Sequence, residues 1–100
     1  MKIAINRCYG GFSLSQRACA RLRCKSYDYA DPNDPKDRRD DPKLISCLEA
    51  LGPDADGALS KLVVCDVPDT ITDWAVIDYD GLETLLYVQD GKIFYTKGED

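Results

Sequence analysis

Two Asp-Gly pairs, Asp80-Gly81 and Asp90-Gly91, stand ten residues apart and cut the last third of the chain into three short apolar runs. Asp-Gly between alternating apolar residues is the strongest local signal for a two-residue hairpin, because both turn positions need positive φ. The spacing predicts strands over residues 74–79, 82–88 and 92–96, joined as an antiparallel meander. Two further runs have strand character. Ile3 and Ile5 alternate around Ala4 over residues 2–6, and residues 61–67 are apolar on both faces until Pro68 stops them. Asp41-Pro42 supplies an N-cap and a first-turn proline, Leu44, Ile45, Leu48 and Leu51 form one stripe, and Gly52-Pro53 ends it, which predicts a helix. A second helix is expected over residues 14–24, opened by a capping box at Ser13 and Gln16 and carrying Leu14, Ala18, Cys19 and Leu22 on its apolar arc.

These elements make an α+β fold of order β-α-loop-α-β-β-β-β. Two helices pack on one face of a mainly antiparallel sheet of about five strands, with the first strand paired inside it. One hundred residues is the size of a single domain spanning residues 1–100. Residues 25–40 are polar and broken by Pro32 and Pro35, and read as a flexible insert. Its Tyr27, Tyr29, Arg38 and Arg39 make it a candidate lid.

The stretch from Ile5 to Ser15 holds the chemistry. A strand breaks there at Gly10-Gly11 and a helix begins. Free amides at a helix start, the positive end of its dipole and glycines that admit a close ligand together suit an anion. Arg7 adds a guanidinium, Tyr9 and Phe12 add flat faces, Ser13 adds the helix start, and Arg17 and Arg21 complete the charge. Arg7, Tyr9, Gly10, Gly11, Phe12, Ser13, Arg17 and Arg21 are thus the candidate ligand-binding residues. Gly10-Gly11 matches neither the dinucleotide-binding fingerprint nor the P-loop, and turn chemistry alone also accounts for two glycines at such a corner.

The run Met1-Lys2-Ile3-Ala4-Ile5-Asn6-Arg7-Cys8-Tyr9-Gly10-Gly11-Phe12-Ser13-Leu14-Ser15 resembles the opening of a family of small phage and prophage proteins. Arg39-Asp40-Asp41-Pro42-Lys43-Leu44-Ile45 is similar to the family's helix start, residues 62–69 to its strand ending in Pro-Asp, and residues 74–81 to its tryptophan strand and Asp-Gly turn. The insert at residues 26–38 and the tail from Val88 depart from the pattern. The resemblance implies a viral origin and a place in the cytoplasm of a bacterial host, and carries no chemistry of its own.

The chain has no histidine, which removes Ser-His-Asp and Cys-His catalysis and imidazole metal ligation together. Its five cysteines lack Cys-x-x-Cys spacing and read as reduced core thiols. An enzyme is disfavoured, and no cofactor or metal is expected. The net charge of −5 hides an asymmetry: residues 1–25 carry six cations and no acid, whereas residues 44–100 carry three cations against twelve acids. The split points to an anionic partner for one face, or to self-association as a homo-oligomer. Direct DNA binding is disfavoured because the cations occupy one short segment. No run is long and apolar enough to span a membrane. Two function classes follow. The first is a binding protein that sequesters a small anionic, nucleotide-like signal of host defence. The second is an inhibitor that meets a host defence protein through an acidic C-terminal sheet carrying Asp73, Asp78, Asp80, Glu83 and Asp90.

Overall fold

A computed structural model describes residues 1–30 and 38–98. The elements follow the expected order: β1 (Lys2–Asn6), α1 (Gln16–Leu22), α2 (Pro42–Leu51), a 3-10 turn (Gly52–Ala55), β2 (Leu62–Asp66), β3 (Asp73–Tyr79), β4 (Leu82–Gln89) and β5 (Lys92–Thr96). The fold is α+β. The strands form two antiparallel sheets, a β1-β2 ribbon and a β3-β4-β5 meander. The meander is the one the Asp-Gly turns imply. Asp80 and Gly81, and again Asp90 and Gly91, all have positive φ.

β1 therefore pairs with β2 and not with the meander. Its second edge is closed by other groups: the Ala4 amide donates to the Arg39 carbonyl at 2.8 Å, and the Asn6 amide donates to Glu83 Oε1 at 2.7 Å. With those donors satisfied, no further strand can add there. The ribbon becomes the middle of three layers. Ala4, Leu62 and Val64 face the helices in one core cluster with Leu44, Cys47 and Leu48. Ile3, Ile5 and Cys65 face the meander in a second cluster with Trp74 and Leu85. The Ile-Ala-Ile alternation of β1 is thus divided between two cores, with the small residue on the helix side.

α2 begins as its sequence implies. Asp41 accepts from the Lys43 amide, Pro42 sits in the first turn, and Gly52 closes the helix at φ 56°. α1 differs. Its N-cap is Ser15, whose hydroxyl accepts from the Ala18 amide, and it ends at Leu22 with Arg23 in the left-handed conformation. Ser13 lies in an extended segment bridged to the chain after the 3-10 turn, with the Gly57 amide donating to its carbonyl at 3.0 Å and Leu14 paired with Asp56. Those tertiary bonds hold Ser13 out of the helix that its capping box favours.

The insert is partly core. The Ser26 carbonyl accepts from the Leu14 amide, and Tyr29 is buried, donating its hydroxyl to Asp41 Oδ2 at 2.9 Å. Arg39 is buried as well. Residues 31–37, with Pro32 and Pro35, lie outside the described residues. Tyr29 and Arg39 are thus structural anchors rather than parts of a lid.

Burial leaves a mark on the titrating groups. It pushes the Cys65 thiol up to about 11 and, with the bond to Asp41, the Tyr29 phenol up to about 12. In both groups the fold favours the neutral form. Their contribution is therefore complete below the ordinary values of 9.0 and 10.0 and is lost as pH rises through about 11 and 12. Denaturant midpoints measured in steps from about pH 8 upward should stay level until near pH 9 and then fall steadily through pH 11. A rising midpoint over that interval would contradict the placement of both groups.

Candidate functional site

The stretch from Ile5 to Ser15 is a joint between layers. Asn6, fully buried, donates from Nδ2 to the carbonyls of Cys8 and Gly81 at 2.6 and 2.7 Å and accepts from the Lys61 amide at 2.8 Å. One amide side chain therefore ties the end of β1 to the start of β2 and to the β3-β4 turn. Arg7 continues that role. β5 stops at Thr96, opposite Leu85, so Glu83 and Thr84 of β4 have no strand partner on that side. Arg7 Nη1 fills the gap, donating to the Glu83 carbonyl at 2.6 Å and to the Thr84 hydroxyl at 3.4 Å. Its Nε is buried without a hydrogen-bond partner.

The remaining expected ligands disperse. The Gly10 amide donates to the Asp80 carbonyl at 3.2 Å, and the Gly10-Gly11 corner packs directly on Gly81. The hairpin therefore occupies the concave side where an anion was expected. Phe12 is buried with the Arg39 guanidinium carbon 3.8 Å from its ring centre, so its face is already covered. Ser13 is buried and donates to the Ala58 carbonyl at 3.3 Å. Tyr9 is exposed. Arg17 points to Asp54, at 3.3 Å across two exposed side chains, a contact of little energetic weight. Since α1 has only seven residues and Ser15 as its cap, its start adds no anion site.

Arg21 is the exception. It lines a cleft of about 550 Å³ between α1 and α2, together with Arg23, Lys43, Ser46 and Cys47. Arg21 projects from the last turn of α1, and the left-handed Arg23 follows two residues later. Lys43 stands in the first turn of α2. Among the described residues none of the three cations has an ion-pair partner. The nearest acid in sequence, Asp41, is engaged by the Lys43 amide and the Tyr29 hydroxyl. Cys47 is buried; desolvation raises its thiol while Arg21 pulls the other way, leaving a neutral floor. Uncompensated cations around a concavity concentrate anions from solution.

A second cleft, of about 680 Å³, lies on the other side of α2 and shares Pro42 and Ser46. Its character is different. Lys2 is bound to Glu49 at 2.8 Å, and Asp40 and Glu49 bring negative charge. The two faces of α2 thus differ: the cations of the first cleft have no ion-pair partner among the described residues, whereas Lys2 of the second is paired with Glu49.

Arg23, Lys43, Ser46 and Cys47 escaped the sequence reading. Arg23 and Lys43 are separated by the insert, and only the packing of α1 on α2 unites them. One of the five acids read onto the solvent side of the sheet is misplaced: Glu83 is buried against Arg39, whereas Asp73, Asp78, Asp80 and Asp90 are exposed, Asp78 accepting from the Gly81 amide at 2.6 Å within its own turn. Among the described residues no group of three or more Cys, Asp or Glu is arranged to hold a metal ion. No helix of the described residues is long and apolar enough to cross a membrane.

No protein-family model, no curated protein and no solved structure matches the chain.

Proposed function

We propose that this chain is a binding protein for a small phosphorylated, nucleotide-like anion, taken up in the cleft between α1 and α2. The observation that carries the reading is the convergence of Arg21, Arg23 and Lys43, without acidic partners among the described residues, on a cleft of about 550 Å³. That volume lies within the range of small-molecule sites. Two guanidiniums suit the paired oxygens of phosphate, and Lys43 adds a point charge beside the Ser46 hydroxyl. The sequence has no histidine to serve as a general base, so the reading is capture without turnover. Taken with the phage resemblance, the role is to hold a host defence signal away from its receptor.

Titration calorimetry with ADP-ribose and with inorganic pyrophosphate as probes tests this. At least one should bind with a dissociation constant in the micromolar range or below. Arg21→Ala and Lys43→Ala should each weaken it about ten- to a hundredfold, the loss of one charge-assisted hydrogen bond. Arg17→Ala should leave affinity unchanged, because its charge lies against Asp54. Failure of both probes to bind, or equal loss in all three variants, would overturn the reading.

A further inference from the structure

Three of the five cysteines gather where α1 meets α2. Cys47 is buried in the helix-side core, and Cys19 and Cys24, both half-buried, pack against the same cluster. Their placement follows from how α1 ends. Arg23 takes the left-handed conformation and its amide donates to the Cys19 carbonyl, while the Cys24 amide donates to that same carbonyl at 3.1 Å. A helix closed in this way turns the residue after its left-handed one back onto the last turn, side chain against side chain. Here both of those side chains are thiols. A backbone bond of 3.1 Å sets their Cα atoms roughly 5 to 7 Å apart, and a disulfide spans about 4.4 to 6.8 Å. The two thiols are in hydrogen-bonding contact, and both are free.

We propose that Cys19 and Cys24 are a redox-active dithiol, a modification site at the end of α1 that closes to an intramolecular disulfide by exchange with low-molecular-weight disulfides of the glutathione type. The Cys19 thiolate attacks one sulfur of the small disulfide, expelling half of it as a thiol and leaving a mixed disulfide on Cys19. The Cys24 thiolate then attacks the Cys19 sulfur and expels the other half. Two protein thiols are oxidised, the small disulfide is reduced to two thiols, and the protons the cysteines lose go to the departing sulfurs. Burial, with the Cys19 sulfur and Asp28 beside it, pushes the Cys24 thiol up to about 11, which suits Cys24 to the second step. Its attack is intramolecular, and a thiolate of high pKa is the stronger nucleophile once formed. Cys47 stands on another element and, at 1% exposure, is out of reach of a small disulfide. Arg21 and Arg23 lie inside the ring that closes, so oxidation fixes the segment bearing two of the three cleft cations.

Peptide mapping of the folded full chain, equilibrated with mixtures of reduced and oxidised glutathione and then alkylated, tests this. Trypsin cuts after Arg17, Arg21, Arg23 and Lys25, so an unreduced digest should contain peptide 18–21 joined to peptide 24–25, and reduction should part them. Closure of this pair should be favoured at least tenfold over its closure in chain denatured with guanidinium chloride, where the turn no longer holds the thiols together. Cys24→Ser should keep glutathione on Cys19 as a lasting mixed disulfide, and Cys47→Ser should close as the parent chain does. A folded parent chain in which Cys19 and Cys24 stay unlinked in the most oxidising mixture, or in which either links to Cys47, overturns the inference. So does equal closure in the folded and the denatured chain, because the end of α1 would then contribute nothing.

Discussion

Replacing Glu83 by leucine should lower the free energy of unfolding by about 3 to 5 kcal/mol, the cost of leaving one member of a buried ion pair alone. Arg39 and Glu83 are 2% and 4% exposed. They meet in a two-pronged contact, Nη1 to Oε1 at 2.6 Å and Nη2 to Oε2 at 2.9 Å. Arg39 Nε also donates to the Tyr29 carbonyl at 2.8 Å and Nη1 to the Ala4 carbonyl at 3.3 Å, while Glu83 Oε1 accepts the Asn6 amide. One pair thus joins the helix-side loop, β1 and β4. For a domain of this size each kcal/mol shifts the melting temperature by about 4 to 8 °C, so the variant should melt some tens of degrees lower or fail to fold. Arg39→Met should behave alike. The informative variant is Arg39→Met with Glu83→Leu. It removes both charges, so its cost should fall well below the sum of the two, leaving mainly the orphaned Tyr29, Ala4 and Asn6 backbone groups at about 1 to 3 kcal/mol each. Denaturant unfolding of all four proteins would show this coupling. Strict additivity would mean that the two side chains do not interact across the core.

That pair also marks the limit of what sequence can disclose. Strand and helix periods are local, and so the meander, α2 and the two-faced β1 were all legible. The position of Arg39 was not. In the sequence it sits among Asp and Arg residues beside Pro35, where charged residues are nearly always solvated; its burial depends on a carboxylate 44 residues away. Glu83 was misread for the same reason, as one acid in an acidic sheet. The division of five strands into two sheets follows from the same long-range chemistry, because a backbone carbonyl and a carboxylate close the edge of β1.

The opening stretch shows the converse error. Arg7, Gly10 and Phe12 have the residue types of an anion site, and Asn6 stands beside them, although their spacing matches no phosphate-binding fingerprint. Each type is equally suited to joining layers: an amide to bridge three backbone segments, a guanidinium to replace an absent strand, a glycine to admit a turn. Of the eight candidate residues only Arg21 reached the cleft of the proposed site. Arg23 and Lys43 join it by the packing of α1 on α2, which no local pattern encodes.

The two Asp-Gly turns offer a controlled comparison of conformational and steric cost. Gly81 and Gly91 have φ of +88° and +74°, so an alanine at either is strained. That strain is worth about 1 to 2 kcal/mol. Beyond it the sites diverge. A Cβ at Gly91 meets nothing within 4 Å, whereas one at Gly81 runs into the Gly11 amide nitrogen and lies 2.7 and 2.8 Å from the Gly10 nitrogen and carbonyl carbon. These are backbone atoms and cannot rotate away. Relief would require the hairpin to separate from the glycine corner, stretching the Gly10 to Asp80 bond and the Asn6 to Gly81 bond. Overpacking of this kind adds about 1 to 3 kcal/mol. Gly91→Ala should therefore cost about 1 to 2 kcal/mol and Gly81→Ala about 2 to 5 kcal/mol, measured as denaturant midpoints under one condition. Two equal values would place the glycine corner away from the β3-β4 turn. The larger loss at Gly81, combined with undiminished probe binding in the folded fraction, would instead fix Gly10-Gly11 as a packing joint and leave the charged cleft between α1 and α2 as the place where an anion is held.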